Sequence, residues 1–126
     1  MKTETLRIIL KISAAFNLFA AVLLAFPLTL GKLVGLPEPG SLFYSLMLSL
    51  AIAIYGAIYY WLSVSQLINR ALLIFAMVGK FGVFVIAIFC FLSGAIESKA
   101  VGPAIVDLVF GLAFMAWLIS NNPVRQ

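Results

Sequence analysis

The chain of 126 residues contains no histidine, one cysteine and only four acidic residues. A lone cysteine, Cys90, forms no internal disulfide, and without histidine there is no nitrogen–sulfur ligand set for a zinc or haem iron. We therefore expect no metal and no cofactor. Cys90 lies in an apolar run and reads as a small buried hydrophobe. Charge is also scarce, at 10% of residues. A soluble domain carries roughly 25%, so this chain lacks the polar surface to face water. The net charge of +4 is not a nucleic-acid footprint, because the basic residues are scattered where helices end and where membrane topology accounts for them.

What the chain has instead is apolar length: 65% of it is hydrophobic. A bilayer core is crossed by ~20 consecutive apolar residues in a helix, and four segments meet that length. They are 8–30, 42–63, 70–93 and 103–120. The first follows a basic stretch (Lys2, Arg7, Lys11), as a signal peptide would. Its run is longer than a usual signal core, and AVLLAFPLTLG has no good cleavage site, so it reads as a span. Segments 31–41, rich in Pro37, Pro39 and Gly40, and 94–102 are loops. Residues 63–69 form a short polar turn, with Asn69 as a candidate cap for the third helix and Arg70 as its anchor. Ser41 is a candidate cap for the second helix. Pro103 suits the first turn of the fourth, and Asn121, Asn122 and Pro123 end it. The halves show no convincing internal repeat.

The expected fold is all-α: one antiparallel four-helix transmembrane bundle, up-down-up-down. Basic residues set its orientation. Lys2, Arg7, Lys11, Arg70 and Arg125 fall on one side, while Lys32 and Lys99 on the other are matched by Glu38 and Glu97. The excess predicts both termini in the cytoplasm. Tyr59, Tyr60 and Trp61 read as an interfacial aromatic belt.

Three residues are too polar for their depth: Asn17, Lys80 and Asp107, with Tyr55 a milder case. A lysine at the bilayer centre costs at least ~2.5–3.5 kcal/mol on insertion scales, so a partner or a function must offset it. Helical spacing places Ser13, Asn17, Ala20, Ala21 and Leu24 on one stripe, and Ala104, Asp107, Gly111 and Phe114 on another. Gly79 and Gly82 border Lys80. Small residues let membrane helices approach, so all three polar groups are expected to face the bundle interior.

Lys80 is about ten residues from one end of its helix and Asp107 about five from the opposite end of its own, which leaves ~8 Å of vertical separation at 1.5 Å per residue. On that arithmetic a direct ion pair needs tilt or a relay. Asn17, Tyr55 and Tyr59 match Lys80 better in depth, and Ser45, Ser49 and Tyr44 match Asp107. The candidate ligand-binding set is Lys80, Asp107, Asn17, Tyr55, Tyr59 and Ser49, with no catalytic residue assigned. The same residues could equally fix helix register, at a cost in stability. Loop residues Leu33, Val34 and Leu36 suit an interfacial connection better than a lid over the bundle mouth.

Several short motifs occur in order: Asn17 and Pro27, LVGLP at 33–37, GAIYYW at 56–61, NRALL at 69–73, GK at 79–80, SG at 93–94 and DLVFGLAF at 107–114. With these the chain resembles small bacterial four-helix membrane proteins loosely grouped with DoxX-like proteins. The resemblance implies a multi-pass protein of the bacterial inner membrane. It transfers no catalytic residue, and the thiols and histidines that would support the redox association of DoxX are missing here.

Three functions are open at this point. The foremost is a non-enzymatic membrane protein that binds an apolar or amphipathic small molecule or lipid in a polar pocket within the bundle, or serves as an accessory subunit. The second is a homodimeric small-solute or proton-coupled transporter using Asp107 and Lys80. The least favoured is an enzyme on a lipid-like substrate with Asp107 or Lys80 as acid or base. The lipid bilayer is the expected partner in each, and nucleic acid in none.

Overall fold

The computed structural model describes residues 1–122, and every regular element among them is helical. Four long helices follow one another: α1 Thr3–Ala25, α2 Leu42–Val64, α3 Arg70–Leu92 and α4 Val101–Ser120. Those of 23 residues extend ~34 Å at 1.5 Å per residue, enough for a ~30 Å hydrocarbon core. The fourth reaches that length with the 3-10 turn Ser98–Ala100 that leads into it. All four are long and apolar enough to cross a membrane.

Two helices begin earlier than the composition suggests. No glycine or proline interrupts Thr3–Lys11, so α1 starts at Thr3 and carries Glu4, Arg7 and Lys11 on the helix itself. Its α-helical geometry ends at Ala25, because Phe26 leaves the helical region and Pro27 offers no N–H. A wide turn, Pro27–Gly31, follows, with the Gly31 N–H donating to the Phe26 carbonyl. In α4, Pro103 is the third residue, still within the first turn, where no amide hydrogen bond is lost. The Asn69 side chain caps α3 by accepting from the Leu72 N–H at 3.1 Å. Ser41 occupies the cap position of α2 but makes no side-chain cap bond. Asn121 caps the C-terminus of α4, while Pro123 and Arg125 lie outside the described residues.

The helices pack chiefly as two pairs, α1 with α2 and α3 with α4. Polar side chains tie the first pair along its length. Ser45 and Ser49 donate to the Leu24 and Ala21 carbonyls, each at 2.6 Å. Asn17 donates to the Ile52 carbonyl at 3.3 Å, and Arg7 to those of Ser63 at 2.8 Å and Gln66 at 3.0 Å. Gly56 lets the backbones close up, since a Cβ there would stand 3.2 Å from the Ala14 carbonyl oxygen. In the second pair, Arg70 donates to the Asn121 and Leu118 carbonyls at 2.8 and 3.0 Å, and its guanidinium lies over Trp117.

The two pairs thus use one device twice. Arg7 and Arg70 each satisfy orphan carbonyls at the end of the neighbouring helix. Each stands ten residues before a buried polar group, Asn17 or Lys80. Residue similarity between the halves is too thin to show this, because the shared feature is a geometric role held by few side chains.

The packed core gathers at one end. Leu6, Leu10, Tyr59, Leu62, Leu73 and Phe114 anchor it, drawn from the starts of α1 and α3 and the ends of α2 and α4. Tyr59 is only 2% exposed while Tyr60 is 58% and Trp61 66%. Tyr59 is therefore a core residue and departs from the expected belt, because one residue is ~100° of helical turn. Towards the opposite ends of the helices the pairs part, and a cleft of about 910 Å³ opens between them.

Candidate functional site

Lys80 sits where the core meets the cleft. It is 3% exposed, and Asp107 is 8% exposed. Its ammonium donates to Asn17 Oδ1 at 2.6 Å and to Asp107 Oδ1. The rings of Tyr59, Phe110 and Phe16 surround it with centroids at 5.1, 5.2 and 5.5 Å. Two oxygens and three aromatic faces therefore replace the water this cation would otherwise hold, and each ring face attracts it electrostatically. Asn17 is oriented from its other end by the bond to the Ile52 carbonyl, which fixes its oxygen towards Lys80.

The direct Lys80–Asp107 contact corrects the depth argument. Lys80 lies ten residues past the start of α3, and Asp107 nine past Ser98, where helical structure leading into α4 begins. The longer approach places Asp107 deeper and narrows the vertical gap between the two groups. The long lysine side chain covers what separation remains.

The other expected partners are elsewhere. Ser45 and Ser49 donate to α1 carbonyls and not to Asp107. Serine hydroxyls facing a close helix find a backbone acceptor first. Tyr44 is exposed. Tyr55 is half-buried, stacked on Phe75 at 5.7 Å, and its ring meets that of Tyr59 at 6.2 Å. So Lys80, Asp107, Asn17 and Tyr59 come together, while Ser49 and Tyr55 stand outside. Phe16 and Phe110 were not singled out from the sequence. Their signal was adjacency to Asn17 and a three-residue spacing from Asp107, which is hard to separate from ordinary core pattern. Ser13, one turn before Asn17, is fully buried, and its hydroxyl has no hydrogen-bond partner among the described residues.

Asp107 lines the floor of the cleft, and Lys80 does not. The lysine uses one carboxylate oxygen, and among the described residues no donor reaches the other, which leaves it to accept from the cleft side. The walls come from all four helices, including Phe16, Ile52, Val83 and Ala104. Loop residues Val34, Leu36 and Pro37 form part of the rim, so the 31–41 segment does more than connect two helices. Gly35 takes a positive φ of +80°, and a Cβ there would collide with the alkyl stem of Lys99. That close approach ties the first loop to the 94–100 segment. Cys90 is only half-buried and lines the same cleft, which corrects its reading as a buried hydrophobe.

Among the described residues no cluster of histidine, cysteine, aspartate or glutamate could hold a metal ion. What the site presents is an apolar chamber ending on a buried, internally balanced ion pair. No family model, no curated protein and no solved structure matches this chain.

Proposed function

We propose that this is a small polytopic membrane protein that binds an apolar or amphipathic small molecule between its two helix pairs, without catalysing a reaction. One observation carries the reading: a cleft of about 910 Å³, walled by apolar side chains of four helices, ends on the carboxylate of Asp107. Ligand sites run to roughly 300–1,000 Å³, mostly apolar with a few placed polar groups, and this cleft has that character.

In this reading the spans run up-down-up-down in the bacterial inner membrane, with both termini in the cytoplasm. Side-chain bonds linking residue 7 to 63, 17 to 52 and 24 to 45 support opposite directions for the first two helices. Charge supports the orientation. Lys32 pairs with Glu38 and Lys99 with Glu97 at one end, while Lys2, Arg7, Lys11 and Arg70 leave the other end basic. Kinship with the DoxX-like proteins is proposed on the short motifs alone.

A native mass spectrum from mild detergent, taken on wild type and on Ala87→Trp, tests the binding. Ala87 is half-buried and lines the cleft. A reproducible small-molecule adduct on wild type, at least tenfold weaker on the variant, is expected. No adduct, or equal adducts on both, refutes the reading.

A second reading, a dimeric transporter using Asp107 and Lys80, draws on the one-sided access to the pair: the cleft reaches it from one end and the core closes the other. Flux into proteoliposomes that is unchanged by Asp107→Asn and by Lys80→Met would remove it.

A further inference from the structure

The geometry points to a ligand whose head is a hydrogen-bond donor, a hydroxyl or an ammonium on an apolar body, delivered to the free oxygen of Asp107. The inference rests on the reading that the cleft binds a ligand, and it adds the chemical class. Three observations carry it.

First, the charged groups that line the cleft among the described residues are both acidic, Asp107 at the floor and Glu38 at the rim. Glu38 has Lys32 3.8 Å away, and both side chains are largely exposed. An anionic head at the floor would therefore meet the Asp107 carboxylate, with no cation among the residues that line the cleft to face it.

Second, Lys80 is already engaged. Its ammonium is shared between Asn17 and Asp107 and covered by three rings, and it does not line the cleft. To reach an anion it would have to give up contacts that stabilise it in a water-poor site.

Third, an ionised carboxylate has about four acceptor positions, and the structure gives only Oδ1 a donor. The remaining oxygen is held at the chamber floor by the lysine bond on its neighbour. Ser45, which also lines the cleft, donates to the Leu24 carbonyl, so it does not serve Asp107. A donor on the ligand is the group this floor lacks.

Cys90 is the chain's only cysteine and lines the cleft, so it reports occupancy without mutagenesis. In nanodiscs of zwitterionic lipid, four probes of equal chain length are compared for protection of Cys90 from N-ethylmaleimide. They are dodecanol, dodecylamine, dodecanoate and dodecyl methyl ether. Dodecanol, dodecylamine or both should protect at concentrations at least tenfold below those of the ether and the carboxylate. Protection by the amine alone would assign the head as cationic; equal protection by alcohol and amine would show that a neutral donor suffices. In Lys80→Met/Asp107→Leu, which removes the pair together, the tenfold preference should vanish while weak protection by all four remains. Asp107→Asn, close in shape, should reduce the preference for the amine over the ether if the double variant fails to fold. Equal protection by ether and alcohol, or best protection by dodecanoate, overturns the donor assignment and leaves the cleft reading standing. Protection by none of the four overturns both.

Discussion

Removing one member of the Lys80–Asp107 pair should cost far more than removing both. Lys80→Met leaves a carboxylate 8% exposed with no counter-charge, and Asp107→Leu leaves an ammonium 3% exposed with only Asn17 and three rings. Breaking a buried pair from one side costs ~3–5 kcal/mol, whereas replacing both charges by apolar groups is often neutral or stabilising. The lysine's remaining partners should hold Asp107→Leu near the lower figure. The carboxylate has no such second set, so Lys80→Met should fall near the upper one. Lys80→Met/Asp107→Leu should return to within about 1 kcal/mol of wild type, giving a coupling energy of at least ~5 kcal/mol. Reversible unfolding in mixed micelles with rising dodecyl sulfate measures this, followed by the fluorescence of Trp117, which lies in the packed core. Single variants within 1 kcal/mol of wild type, or a double variant as unstable as the two losses added, would refute the reasoning.

Five further outcomes follow, four from the same packing and one from the charge pattern. Gly56→Ala should destabilise by ~1–3 kcal/mol in that unfolding assay, because the new Cβ meets backbone at 3.2 Å. Gly82→Ala, which meets nothing within 4 Å, should be neutral or gain up to ~1 kcal/mol from helix propensity. Arg7→Ala and Arg70→Ala should each cost ~1.5–3 kcal/mol, since each removes two charged hydrogen bonds to helix-end carbonyls; unequal losses would show that the device is not shared. Ser13→Ala should leave stability unchanged or raise it by about 1 kcal/mol, because it deletes a buried hydroxyl without a partner. In a Cys90→Ala background, a cysteine at Gln66 should react with a membrane-impermeant maleimide only after the cytoplasmic side is opened, and one at Ser98 from outside; the reverse pattern would invert the proposed orientation.

Much of the interior was legible in the pattern of residues. Asn17, Lys80 and Asp107 each fall on a stripe of small neighbours, and that spacing turned all three inward, where they are found buried. Their pairing was less visible, because it depends on where helical structure leading into α4 begins. Helical structure that starts at Ser98, five residues ahead of Pro103, brings Asp107 closer to the level of Lys80, and Pro103 points to a start that is too late. Tyr59 was misplaced for a related reason: three adjacent aromatics look alike in a list, but a helix turns them to different faces. The cleft left no trace in composition. It lies between two separately packed helix pairs, and its walls come from all four helices, so no single stretch of residues marks it.

Lys80 and Asp107 belong to the same helix pair, α3 and α4, and this bears on how the protein enters its membrane. If the second pair leaves the translocation machinery as one unit, it carries its cation and its counter-ion together and crosses the lipid boundary with no net buried charge. Assembly with α1 then adds only an amide and an aromatic face to a pair that is already neutral. A lysine whose counter-ion lay on the first pair would have to wait, charged and alone in hydrocarbon, for two separately inserted halves to find each other.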